Sequence, residues 1–140
     1  MVPGYFALIL HAHVPYVRHP EHDEFLEEDW LFEAITETYL PLLDVLHGLA
    51  DEGVAFRVAM SLTPTLAHML RDPLLQSRYE RYLDRLLALA ESEARRAESR
   101  AVEKAIARFY VLRLLRVREW WTHRWKRDLV AAFEIGRAHV

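Results

Sequence analysis

His11 and His13 stand two residues apart where the apolar run Phe6–Leu10 ends, and Val14, Pro15 and Tyr16 follow them. Side chains at i and i+2 share one face of a strand, so both imidazoles can meet one ligand. Each ring has two nitrogens, one to be held by the protein and one to face a substrate. Such a pair serves two chemistries: hydrogen bonding to a hydroxyl-rich ligand, and ligation of zinc. A metal site needs further His or Asp ligands, and the other histidines lie in loop and helix segments without suitable spacing. A histidine at a strand end also serves as a satisfied core residue. Ser61 and Thr63 place hydroxyls at the end of a second apolar run that begins at Val54. Two aromatic residues complete the set. Tyr16 lies nearest the histidines, and Trp30 opens a helical pattern, where its ring either stacks on a ligand or anchors the helix in the core.

These residues need a scaffold. Tyr5–His11 reads as a buried first strand that delivers both histidines to its C-terminal end. In barrels of parallel strands the active site lies at that end. Val14–Asp29 reads as a polar loop, well beyond the usual length of about 2–6 residues for a strand-to-helix connection. Its acids Glu21, Asp23, Glu24, Glu27, Glu28 and Asp29 read as solvated, the last of them favouring the N-terminus of the helix that follows. Trp30–Asp51 has helical spacing, with Pro41 inside it to kink or split it and Gly53 as a stop. Val54–Ser61 reads as a second strand, making a βαβ unit with parallel pairing. Thr63 is placed to cap a short helix begun by Pro64 and carrying Leu66, Met69 and Leu70.

From Ser77 onward the pattern is helical. Tyr79, Tyr82, Leu83, Leu86 and Leu87 mark one amphipathic face, and Ile106, Phe109, Tyr110, Leu114 and Val117 mark another. The weakly apolar stretch Ala94–Lys104 reads as a bend between them. Trp120, Trp121 and Trp125 read as packing, and Arg113, Arg116, Arg118, Arg124 and Arg127 as a solvated helix face.

Composition limits the partners. A net charge of −3 over 140 residues gives no basis for nucleic acid or an anionic membrane. With no cysteine, disulfides and thiolate metal sites are excluded. No apolar run approaches the roughly 20 residues of a membrane span, and the N-terminus lacks a signal-peptide pattern. The expected compartment is the cytoplasm. The last residues, Ile135–Val140, read as the translation of a common sequencing adapter, so residues 134–140 are expected to be an artefactual tail on a gene that continues.

Several segments together resemble the N-terminal part of glycoside hydrolase family 57. They are His11-Ala12-His13-Val14-Pro15-Tyr16, Trp30-Leu31-Phe32-Glu33-Ala34, Thr36-Glu37-Thr38-Tyr39-Leu40-Pro41-Leu42-Leu43, Ser61-Leu62-Thr63-Pro64 and Trp125-Lys126-Arg127-Asp128-Leu129-Val130. The resemblance covers residues 4 to 133. The segment Glu37–Leu43 is similar to the 1,4-α-glucan branching members, which transfer an α-1,4-glucan segment to a 6-hydroxyl. α-Amylase and 4-α-glucanotransferase members stay open as alternatives.

The resemblance implies an α/β fold: the N-terminal portion of a (β/α)7 barrel, incomplete, with two parallel strands plus helices. Residues 1–76 would form the βαβ unit and residues 77–133 a helical segment. It also implies a retaining mechanism with two carboxyl groups about 5–5.5 Å apart. The family regions that hold those groups are absent here, so no catalytic residue is assigned and the chain alone is expected to be inactive. His11, His13, Tyr16, Trp30, Ser61 and Thr63 would be substrate-binding, with no metal and no cofactor. The implied partner is an α-glucan, in glycogen or α-glucan synthesis. An incomplete barrel would leave parallel edges unpaired and apolar faces uncovered. Two readings of other classes are a metal-dependent hydrolase built on His11 and His13, and a non-catalytic helical module that binds a partner through its Trp-rich helix.

Overall fold

The computed structural model describes Gly4, Phe6–Arg96 and Arg100–Glu134. Tyr5 and the adapter-like residues 135–140 lie outside the described residues. Two short strands, β1 (Ile9–Ala12) and β2 (Ala59–Leu62), pair in parallel. The register sets Ile9 opposite Ala59, Leu10 opposite Met60, His11 opposite Ser61 and Ala12 opposite Leu62. Backbone bonds from Ala59 to Leu8 (3.1 Å) and from Thr63 to Ala12 (3.2 Å) close the ladder at its two ends.

Period-two alternation sorts the strand residues. Ala12 enters the core, with Met60 and Leu62 packed against it, while Ile9, His11, Ala59 and Ser61 lie on the opposite, open face. This corrects the expectation of a buried first strand: Ile9 is 72% exposed and Phe6 is 89% exposed. A parallel strand is buried only when both faces are covered, and here helices cover one face.

The helical stretch after the loop begins earlier than expected, at Glu28. It runs as α1 (Glu28–Glu33), a π-helical turn (Ala34–Tyr39) and α2 (Leu40–Asp51) without interruption. Pro41 neither splits nor ends it. Proline has no N–H for the i−4 carbonyl, and its ring crowds that carbonyl. The turn just before it widens instead, so that Leu40 N–H bonds to Ile35 O, five residues back. Gly53, at φ +71°, ends α2, and Val54 N–H closes on Leu49 O at 2.9 Å in a Schellman motif.

Helix α3 (Pro64–Arg71) leads into α4 (Pro73–Arg96), which starts before the expected onset at Ser77. Asp72 explains the early start. Its carboxylate accepts from Leu74 N (2.9 Å) and Leu75 N (3.1 Å), with Pro73 directly after it. Helix α5 (Ala101–Glu119) packs along α4, so Ala94–Arg96 and Ala101–Lys104 of the expected bend are helical, and residues 97–99 lie outside the described residues. A second π-helical turn (Trp120–Arg124) and the short α6 (Leu129–Ala132) follow. The corner between them holds Lys126 and Arg127 at positive φ, 48° and 67°. Arg127 N–H bonds Trp121 O (2.9 Å), and the Gln76 amide donates to Arg127 O (3.0 Å) and Leu70 O (2.8 Å), fixing that corner.

One apolar cluster joins the strand side to the helical half. It includes Val14 and Val17 of the loop, Leu31, Ile35, Leu40 and Leu43, then Leu66, Met69, Leu70, Leu75, Tyr79, Leu83 and Leu87, and finally Val117, Trp121, Trp125 and Leu129. Trp121 is fully buried and donates from its indole N–H to Glu80 Oε1 (3.1 Å), so the tryptophans serve packing as expected. The arginine series is not simply a solvated face. Arg113 pairs with Glu37 (2.5 Å), Arg118 with Asp84 (2.9 Å), Arg124 with Asp44 (2.5 Å) and Arg127 with Glu80 (2.7 Å). Partly exposed pairs of this kind contribute about 0–1 kcal/mol each, but together they tie α5 and its extension to both neighbouring helices.

Candidate functional site

The register brings His11 and Ser61 side by side on the open face of the sheet. His11 Nδ1 and the Ser61 hydroxyl form a hydrogen bond of 2.5 Å. His13, beyond the end of β1, stacks its ring on His11 with centroids 6.0 Å apart and planes inclined by 19°. Both histidines are exposed. With Nδ1 engaged by Ser61, His11 has Nε2 left to meet a ligand. His11, His13 and Ser61 are therefore brought together as the sequence suggests.

The other three residues are placed differently. The Thr63 hydroxyl accepts from Leu66 N (3.3 Å) and caps α3 at the same end of the sheet. Tyr16 stacks on His68 of α3, with centroids 6.5 Å apart, and is half exposed. Trp30 is 51% exposed on α1, so it is not the core anchor that a helix-start tryptophan often is. No ring contact links Trp30 to the histidines among the described residues. No group of three or more His, Asp or Glu side chains placed to hold a metal ion occurs among the described residues.

The loop that carries Tyr16 is pinned from beneath. Val17 N–H reaches Met69 Sδ (3.4 Å), and Arg18 Nε pairs with Asp72 (2.6 Å). Burial alone would raise the Asp72 carboxyl. The Leu75 amide, the Arg18 guanidinium and the Leu74 amide outweigh it and hold the carboxyl below the ordinary carboxylate range. Arg78 of α4 reaches up into the loop, donating to Glu28 Oε1, to His19 O (3.1 Å) and to His22 O. Glu28 also accepts from His19 N (3.2 Å). The expectation of a fully solvated acidic loop fails at Glu28, which is 1% exposed: a buried guanidinium opposite it supplies the counter-charge. Sequence reasoning missed this pair and His68. The available signal was Arg78 itself, which shares a helix face with Leu75, Tyr79 and Tyr82 at apolar spacing. His68 carried none, since it falls off the face formed by Leu66, Met69 and Leu70.

A parallel strand pair that presents imidazoles and a hydroxyl at its C-terminal end is the arrangement of α/β enzymes that bind at that edge. Comparison with known proteins narrows the class. Residues 7–137 match the model of glycosyl hydrolase family 57, and the chain belongs to this family. It is 38% identical over 120 residues to a 1,4-alpha-glucan branching enzyme of Thermococcus kodakarensis, spanning 84% of this chain and 17% of that protein. Among solved structures it is similar to the alpha-amylase AmyC of Thermotoga maritima. There the TM-score is 0.82 and the identity 41%, covering 91% of this chain and 24% of the other. A branching enzyme of this family from Pyrococcus horikoshii superposes with a TM-score of 0.84 at 32% identity, covering 93% of this chain and 24% of the other. The chain thus spans about a quarter or less of the length of these relatives.

Proposed function

We propose that this chain supplies the first two strands of a (β/α)7 barrel in a 1,4-α-glucan branching enzyme of the cytoplasm, and that His11 and His13 line its glucan subsite. The observation that carries the reading is the His11–Ser61 bond on the sheet face opposite the helices. In a barrel the helices lie outside, so the open face becomes the inner wall, and ligands bind at the C-terminal ends of its strands. His11 Nε2 and the His13 ring would then hydrogen-bond sugar hydroxyls. The branching assignment, over α-amylase or 4-α-glucanotransferase, is supported by the branching enzymes that the chain resembles in sequence, whereas the solved structures it resembles include both a branching enzyme and an α-amylase. The nucleophile and the acid/base would be carboxyl groups outside this chain. None of the helices described is long and apolar enough to cross a membrane.

The test is titration of the isotopically labelled chain with maltotriose, followed through the His11 and His13 ring resonances. Both are expected to move saturably, and His13→Ala should weaken the response at His11. Ring resonances that stay fixed up to high maltotriose would sink the assignment. In the full-length gene product, His11→Ala should reduce the formation of α-1,6 linkages from amylose by at least about tenfold, the effect of losing a hydrogen bond of about 1.5 kcal/mol.

A further inference from the structure

A polar cavity lies away from His11 and His13, between the segment Asp23–Asp29 and helix α4. Its volume is about 240 Å³, below the ~300–1,000 Å³ of pockets for drug-sized ligands. None of His11, His13, Tyr16, Ser61 and Thr63 lines it. Three guanidinium groups, Arg78, Arg81 and Arg85, face it from α4, and the carboxylates Asp23, Glu24, Glu28 and Asp29 face it from the loop and α1. Two ion pairs, Arg78–Glu28 and Arg85–Glu24, use part of this charge. Arg81, Asp23 and Asp29 stand outside any ion pair among the described residues. Arg78 is 6% exposed, and its Nε–H is buried with no hydrogen-bond partner, an unusual state for a donor in a folded protein.

The balance of charge selects the ligand. With Arg78 and Arg85 paired to Glu28 and Glu24, the groups left to meet a ligand are the Arg81 guanidinium and the carboxylates of Asp23 and Asp29. A neutral polyhydroxyl ring uses both kinds: carboxylates accept its O–H groups, and guanidinium N–H groups donate to its oxygens. The cavity also has an apolar side. Phe25 and Phe32 line it, and Leu26 there is 80% exposed. The His19 ring, with its centroid 3.8 Å away, and the His22 ring, 5.1 Å away, hold Phe25 in place. Planar polar groups beside an apolar wall suit a pyranose, whose hydroxyls lie at its rim and whose C–H groups lie on its faces. We infer that this cavity is a second carbohydrate site, sized for a single glucosyl unit of an α-glucan. The choice of glucan as the carbohydrate rests on the function proposed above.

The experiment is titration of the labelled chain with maltose, with glycerol as control, reading the side chains of Arg81, Arg85 and Leu26 separately from the rings of His11 and His13. Maltose should move the cavity resonances saturably, while glycerol at equal hydroxyl concentration should not. Arg81→Ala should weaken the cavity response by about tenfold, the weight of one charged hydrogen bond, and leave the response at His11 unchanged. Because Arg81 is exposed, the variant should keep the fold; Asp29→Asn provides a second, independent change. A response at the histidines with none at the cavity overturns the second site and leaves the proposed function standing. A response at the cavity alone supports the site and counts against the histidine subsite. An equal response to glycerol, or none at either place, overturns the inference.

Discussion

Replacing Arg78 by methionine should release the loop that carries Tyr16 and cost a large part of the stability. The side chains of Arg78 and Glu28 are 6% and 2% exposed, so the charge pair is almost wholly withdrawn from water. Arg78→Met keeps most of the apolar stem and leaves the Glu28 carboxylate buried without a counter-charge. It also strips the His19 and His22 carbonyls of their donor. Breaking a buried pair in this one-sided way costs about 3–5 kcal/mol, against a typical total of about 5–15 kcal/mol. With a urea m value of about 2 kcal/mol/M, the unfolding midpoint should fall by about 2 M. Far-UV circular dichroism reads the midpoint, and hydrogen exchange of the amides at 17–27 reads the loop. The double variant Glu28→Leu/Arg78→Met removes both charges and should recover part of the loss, leaving about 1–3 kcal/mol for the abandoned His19 and His22 carbonyls and the His19 N–H. An Arg78→Met protein within about 0.5 kcal/mol of the parent would refute the argument, because a surface substitution costs no more than that.

Thr63→Ala should cost about 1 kcal/mol in the same denaturation experiment by removing the cap of α3, whereas Thr63→Ser should cost little. Asp72 is held below its ordinary value, so the stability it contributes is present above about pH 4 and is lost as pH falls through its lower folded value. Asp72→Asn should therefore be less stable than the parent at neutral pH, and the gap should close in acid; a gap independent of pH would contradict this. Tyr79 is fully buried, burial pushes its phenol up, and it shares a hydrogen bond with Thr36 (3.1 Å). Its contribution is complete below about pH 10 and is lost above it, so Tyr79→Phe should cost about 1 kcal/mol at neutral pH and flatten the alkaline limb of the stability curve.

The parallel strand pair, the Gly53 stop and the Thr63 cap were legible because each depends on a local signal: an apolar run, a residue tolerant of positive φ, a hydroxyl before Pro64. The π-helical turns were not legible. Pro41 announces trouble in a helix, but whether the chain breaks or widens depends on the packing of Ile35, Tyr39 and Leu43 into the core. The exposure of Phe6 and Ile9 was hidden for a similar reason, since an apolar run records what a strand can bury and not what is present to cover it. Of the candidate site, the histidine pair could be read from i, i+2 spacing. Its partner Ser61 could be named from its place at the end of the second apolar run, but its link to His11 required the register. The buried Glu28–Arg78 pair joins residues 50 apart and was invisible to any reading by neighbourhood.

The sheet register also fixes an order of events in folding. The bond between His11 and Ser61 spans 50 residues of chain, whereas α4 and α5 meet across a short connection. Closing a long loop costs entropy before any contact repays it, and local helix pairs form sooner. The helical hairpin should therefore gain protection first, with strand pairing following once α1 and α2 have docked. The two histidines would then acquire their common geometry in the last step, so a destabilised chain should lose the edge that carries His11 and His13 while most of its helix content survives. Pulse-labelled hydrogen exchange would show this as late protection of Leu10 and Met60 relative to Leu83 and Leu114.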